Sequence, residues 1–168
     1  EVFVQTAGRV LDRDPYYRDL CRINLDTGEC TTLASSDHEY IVVYNKTLLH
    51  VMAKTVGHAE HTSSGISCSG NFVVVTRSRA DQVPVSILLD REGKEVLMIE
   101  TANVSGLPSG WQWPEPVKLE SADGSTDIFG LVYRPTDFSP DNSYPVVSHV
   151  FNTPELPWVP KGSFSNTT

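Results

Sequence analysis

The sequence predicts a mainly β chain folded as a succession of antiparallel hairpins. Three observations carry this expectation. Short runs rich in β-branched and aromatic residues recur along the 168 residues. Eleven Gly and eleven Pro lie scattered between those runs rather than clustered. No segment has a convincing helical period.

Taken in order, the expected strands are Val2 to Thr6, Leu20 to Leu25, Cys30 to Leu33, Tyr40 to Tyr44, Leu48 to Ala53, Phe72 to Thr76, Val83 to Leu89 and Glu95 to Ile99. Turn chemistry separates them: Leu25-Asp26-Thr27-Gly28, Asn45-Lys46, Ser69-Gly70-Asn71 and Asp90-Arg91-Glu92-Gly93, where Gly supplies the positive φ of a tight hairpin. The segments Cys21 to Glu29 and Ser86 to Lys94 echo each other as strand, acidic turn ending in Gly, and returning strand. Repeated four-stranded blades would produce such an echo, whereas a sandwich would not require it.

Composition changes near residue 103, where Ser105 to Pro116 combines Gly, Pro and two Trp, so a domain boundary is expected between 1–102 and 103–168. Beyond it, Pro116 to Ser121 and Asp127 to Arg134 flank Ala122-Asp123-Gly124-Ser125 as another hairpin. Tyr144 to Phe151 reads as a strand, and Asn152 to Thr168 as irregular.

The net charge of −8, with thirteen Lys and Arg in no run, argues against nucleic acid as a partner and against direct membrane contact. No apolar stretch is long enough to span a bilayer. Glu1-Val2-Phe3-Val4 lacks the basic and apolar regions of a leader, so any targeting signal is expected outside these residues. Cys21, Cys30 and Cys68 are too few for a disulfide framework, although Cys21 and Cys30 flank a turn and are candidates for neighbours on paired strands. Sequons at Asn45, Asn103 and Asn166 are compatible with a secreted, periplasmic or ectodomain setting.

Several spaced features carry a family resemblance. Asp14-Pro15-Tyr16-Tyr17-Arg18-Asp19-Leu20-Cys21-Arg22-Ile23-Asn24-Leu25 returns through Thr31-Thr32-Leu33; His61 precedes Ser67 to Val75 and Ser78 to Pro84. Trp113-Pro114-Glu115-Pro116, Asp123-Gly124, Ile128 to Pro135, Phe138 and Tyr144-Pro145-Val146-Val147 then follow in order. This pattern resembles the prolyl oligopeptidase family of serine peptidases, in its dipeptidyl peptidase IV-like branch. The resemblance implies that residues 1–102 are the last blades of a β-propeller and 103–168 the first antiparallel strands of an α/β-hydrolase domain.

It also implies a serine-type peptidase acting on peptides, with no cofactor. The G-x-S-x-G elbow and the following Asp and His of such an enzyme have no matching positions here, so the chain by itself is expected to be inactive. Phe151 aligns with the family's oxyanion-hole Tyr. A phenyl ring donates no hydrogen bond, and loss of one such donor costs about two to three orders of magnitude in turnover. Asn152-Thr153-Pro154 also departs from the small or Gly residue the family carries before Pro. An inactive pseudo-peptidase acting through protein binding is therefore the alternative, and a stand-alone β-sandwich a third.

Other constellations have plainer readings. Gly65-Ile66-Ser67-Cys68-Ser69-Gly70 has its Gly at the wrong offset for a nucleophile elbow and reads as a turn. His58-Ala59-Glu60-His61 offers metal-ligand types without a helix or hairpin to space them, and no metal is expected. His149 reads as a satisfied core or edge histidine. Trp111 and Trp113 are expected to bury area at the domain boundary rather than to form a binding platform. Unpaired sheet edges of a partial propeller predict a homo-oligomer.

Overall fold

The computed structural model describes residues 1–42, 65–149, 159 and 161–163. The expected strand Leu48 to Ala53, the Asn45-Lys46 turn, the His58 to His61 cluster, Phe151 and Asn152-Thr153-Pro154 lie outside the described residues.

Among the described residues nine strands form three antiparallel sheets, with no helix. Strands β1 (Val2–Thr6), β2 (Asp19–Ile23) and β3 (Cys30–Ala34) make the first sheet. Strands β4 (Glu39–Val42), β5 (Phe72–Arg79), β6 (Gln82–Asp90) and β7 (Glu95–Thr101) make a four-stranded meander in sequence order. Strands β8 (Glu115–Glu120) and β9 (Asp127–Val132) form a hairpin of their own.

The first two sheets share one core. Leu20, Leu33 and Ala34 of the first meet Tyr40, Val42, Val73, Val75, Ile87 and Leu89 of the second. Period-two alternation selects them: in β5, Val73 and Val75 are buried while Val74 between them is not. Pro84 sits inside β6, where a missing N–H would break the ladder. The register absorbs it, because Arg77 pairs with Val85 and Arg79 with Gln82, leaving the extra residue of a bulge on β6 at Val83-Pro84.

Charges buried at the seam are paired. Asp19 and Glu39 are 2% and 3% exposed. Arg13 meets Asp19 at 2.7 Å and donates to the Ser36 carbonyl at 2.9 Å, so one guanidinium ties the β1–β2 connection to the β3–β4 connection. Arg18 ion-pairs with Glu39, whose second oxygen accepts from the Arg18 backbone N–H at 3.1 Å. Such pairs fix geometry, because removing one partner strands a charge out of water.

The sequence echo corresponds to a structural one. The β2–β3 and β6–β7 hairpins are each the last pair of their sheet. In one, Asn24 Oδ1 accepts from Asp26 N at 2.9 Å, and Gly28 turns at φ +74. In the other, Asp90 Oδ1 accepts from Glu92 N at 3.0 Å, and Gly93 turns at φ +85. A short side-chain acceptor at the strand's end holds the turn's amides, and glycine takes the left-handed position.

One expectation needs correction. Residues 144–149, the described part of the strand expected from Tyr144 to Phe151, form no strand, and Val146 and Val147 are each 90% exposed. Apolar character makes a strand only where a neighbour satisfies its backbone groups, and no described segment pairs with this one. The tryptophans at the boundary pack edge to face on each other, ring centroids 6.3 Å apart, with Trp113 half-buried and Trp111 37% exposed. Tyr16 and Phe129 bridge the boundary in edge-to-face contact at 6.5 Å.

Candidate functional site

The β1–β2 connection wraps the end of the first sheet and faces the β8–β9 hairpin. Between them lies a cleft of about 320 Å³, lined on one side by Asp12, Asp14, Tyr17 and Asp37 and on the other by Lys118 and Phe129. Its volume is at the small end for small-molecule sites. Asp12 adopts φ +62, a left-handed conformation that Asp tolerates better than most residues. Tyr16 N donates to Asp14 Oδ1 at 3.0 Å, an Asx turn that sets the two adjacent tyrosines in place.

The cleft's bases already have partners: Arg13 with Asp19, Arg79 with Asp81 and Lys118 with Asp127. The lining itself balances three acids against three bases, and with each base already paired, Asp12 and Asp37 are its carboxylates without an ion pair among the described residues. Burial pushes the Tyr17 phenol up to about 12, with Arg79 opposing the shift and the surrounding aspartates adding to it. The hydrogen bond from Lys118 to Asp127 holds that ammonium above its usual range.

At one end of the cleft, Asp14, Tyr16, Tyr17 and Phe129 surround the ammonium of Lys161. Nζ ion-pairs with Asp14 Oδ2 and lies 5.5, 5.4 and 5.6 Å from the ring centroids of Tyr16, Tyr17 and Phe129. All three are within reach of a cation–π attraction. Sequence reasoning missed this cluster. Its local signal was the run Asp14-Pro15-Tyr16-Tyr17, an acid beside two aromatics; nothing local connects it to Lys161 or Phe129.

Among the described residues, those weighed for catalysis are not assembled into a site. Ser67 is a turn residue: its Oγ accepts from Phe72 N at 3.1 Å, and Gly70 N donates to the Ser67 carbonyl at 2.8 Å. A different serine does meet a histidine, Ser36 Oγ lying 2.9 Å from His38 Nδ1. The same Oγ is 2.9 Å from Tyr40 Oη, and His38 Nε2 is 3.1 Å from Gln82 Oε1. A neutral amide in place of a carboxylate does not stabilise an imidazolium, so this chain of contacts braces β4 against β6 and does not activate Ser36. His149 is exposed.

Cys21 and Cys30 lie on paired strands, as expected. The register sets Cys21 opposite Thr32 and Cys30 opposite Ile23, making the thiols diagonal neighbours on one face. All three cysteines are free, and Arg9 Nη1 donates to Cys21 Sγ at 3.1 Å and Cys30 Sγ at 3.4 Å. The Cys30 hydrogen bond raises the Arg9 guanidinium above its ordinary range.

No group of three or more His, Cys, Asp or Glu among the described residues is arranged to hold a metal ion, and no described helix is long and apolar enough to cross a membrane. Compared with protein-family models, with curated proteins and with solved structures, the chain matches none.

Proposed function

We propose that the chain is scaffold from a dipeptidyl peptidase IV-like serine peptidase of the prolyl oligopeptidase family. On this reading 1–102 closes a β-propeller, and 103–168 begins the α/β-hydrolase domain that hydrolyses peptide bonds. The observation that carries it is the order of the sheets. A four-stranded meander, β4 to β7, follows a sheet that ends in a hairpin whose turn, one residue longer, also closes on a left-handed Gly, and after residue 102 a separate hairpin begins. Antiparallel meanders following one another in chain order are what consecutive blades require.

In this role the chain carries no nucleophile, and the propeller part restricts access to chemistry performed elsewhere. The setting is secreted, periplasmic or ectodomain, with peptide as substrate and self-association through open sheet edges. The test is covalent labelling of the longer protein that contains these residues by a fluorophosphonate probe, with the 168-residue chain as negative control. Labelling of one serine in the longer protein alone supports the peptidase.

A second reading is favoured by Phe151, which stands where the family carries its oxyanion-hole Tyr. Without that phenol the parent is a pseudo-peptidase that works through protein contacts. A folded parent that takes no label selects this reading.

A further inference from the structure

Lys161 is seated as a ligand is seated. Its side chain is 8% exposed and that of Asp14 is 13% exposed, a buried ion pair between positions 147 residues apart. The cation is enclosed by one carboxylate and three rings, Tyr16, Tyr17 and Phe129, drawn from the β1–β2 connection and β9. The neighbouring residues of the same segment are docked as well. Ser163 N donates to Ser78 Oγ at 2.8 Å, and the two hydroxyls are also 2.8 Å apart. Gly162 lies against Ser78 and Ile41, where an added Cβ would come to 3.4 Å of Ser78 Oγ.

We propose that Asp14, Tyr16, Tyr17 and Phe129 form a receptor for a primary alkylammonium, which the chain fills with its own Lys161 to latch the 161–163 segment across the boundary between the sheets. The chemistry selects this ligand class. The carboxylate takes the charge, and the rings present their negative faces to the compact cation while covering the alkyl stem. A guanidinium asks for planar, forked acceptors, and this cage offers a single carboxylate.

Three of the four cage residues, Asp14, Tyr17 and Phe129, also line the open cleft, so a free ammonium has an aqueous approach to the same seat. The latch is therefore competitive. An alkylammonium in solution and Lys161 exclude each other, and withdrawal of the segment leaves a formed cation site behind.

The test is chemical rescue in the full chain. Lys161→Ala lowers the thermal midpoint, and n-butylammonium chloride restores it at concentrations where sodium chloride of equal ionic strength does not. The apparent affinity for n-butylammonium is expected to be about tenfold or more weaker in the unsubstituted chain, whose site is filled, and to fall by a similar factor in Lys161→Ala when Asp14→Asn is added. Lys161→Met retains the apolar stem without the charge and is expected to be destabilised as well. If Lys161→Ala does not fold alone, recovery of folding on adding n-butylammonium is the readout. Failure of n-butylammonium to restore Lys161→Ala overturns the proposal, as does an equal response in the unsubstituted chain or full stability of Lys161→Met.

Discussion

Gly28 and Gly93 occupy matching positions in the two echoing hairpins, and alanine at each separates local strain from packing between sheets. Both are left-handed, at φ +74 and +85, so Ala at either position carries the same backbone penalty, about 1–2 kcal/mol. Their surroundings differ. A Cβ at Gly28 meets nothing within 4 Å, whereas at Gly93 it would lie 2.2 Å from the Leu33 carbonyl oxygen and 2.6 Å from Leu33 Cα.

Leu33 falls at the bulge between the Leu20–Ala34 and Cys21–Thr32 pairs, and its side chain is part of the shared core. Relief at Gly93 therefore requires one sheet to move against the other, and overpacking of that kind costs about 1–3 kcal/mol more. The expected loss is about 1–2 kcal/mol for Gly28→Ala and about 2–5 kcal/mol for Gly93→Ala. Urea unfolding followed by circular dichroism measures both, through the midpoint at unchanged slope. Equal losses, or a greater loss at Gly28, would refute the close approach of the two sheets.

Other consequences are as direct. Tyr17 has its phenol raised from 10.0 to about 12, so its neutral form stabilises the fold fully below the unfolded value, and that stability is lost as pH rises from about 10 through about 12. Burial raises the Tyr133 phenol as well, so ultraviolet titration should show the phenol at about 12 disappear in Tyr17→Phe while that of Tyr133 stays; persistence of the phenol at about 12 in the variant would assign it elsewhere. Cys21 is fully buried while Cys30 and Cys68 are exposed, so a thiol reagent should modify two cysteines in the native chain and the third only on unfolding. Three equal rates would contradict the placement of Cys21. Strand β7 is exposed along its whole length, with Val96, Leu97, Met98 and Ile99 all between 49% and 59% exposed at the edge of the meander. Sedimentation should find self-association that Leu97→Lys with Ile99→Lys abolishes; a compact monomer across a wide concentration range would remove the edge as its cause.

Local chemistry made most of the strands legible. The β-branched runs gave β1 its observed limits and β3 all but its last residue, and the acidic turns ending in Gly28 and Gly93 marked the two closing hairpins. Strand ends ran past the sequence reading where polar residues extend the ladder, as at Arg77 to Arg79 in β5, because backbone pairing there does not depend on an apolar side chain. Residues 144–149 went the other way, since their apolar run promises a strand only if a neighbour exists. Contacts distant along the chain left no pattern to read. The Gly93–Leu33 approach and the cage around Lys161 join segments whose separate sequences look like an ordinary turn and an irregular Pro-rich stretch. The family resemblance supplied an architecture to test; it contained no signal for that cage.

The most direct measurement is an electron cryomicroscopy structure of the parent protein that the proposed reading requires. The proposed reading predicts that β1–β3 and β4–β7 belong to consecutive blades around one axis and that β8–β9 opens a separate hydrolase sheet. The same two sheets closed on each other as a self-sufficient sandwich, with no further blades and no hydrolase sheet, would contradict it.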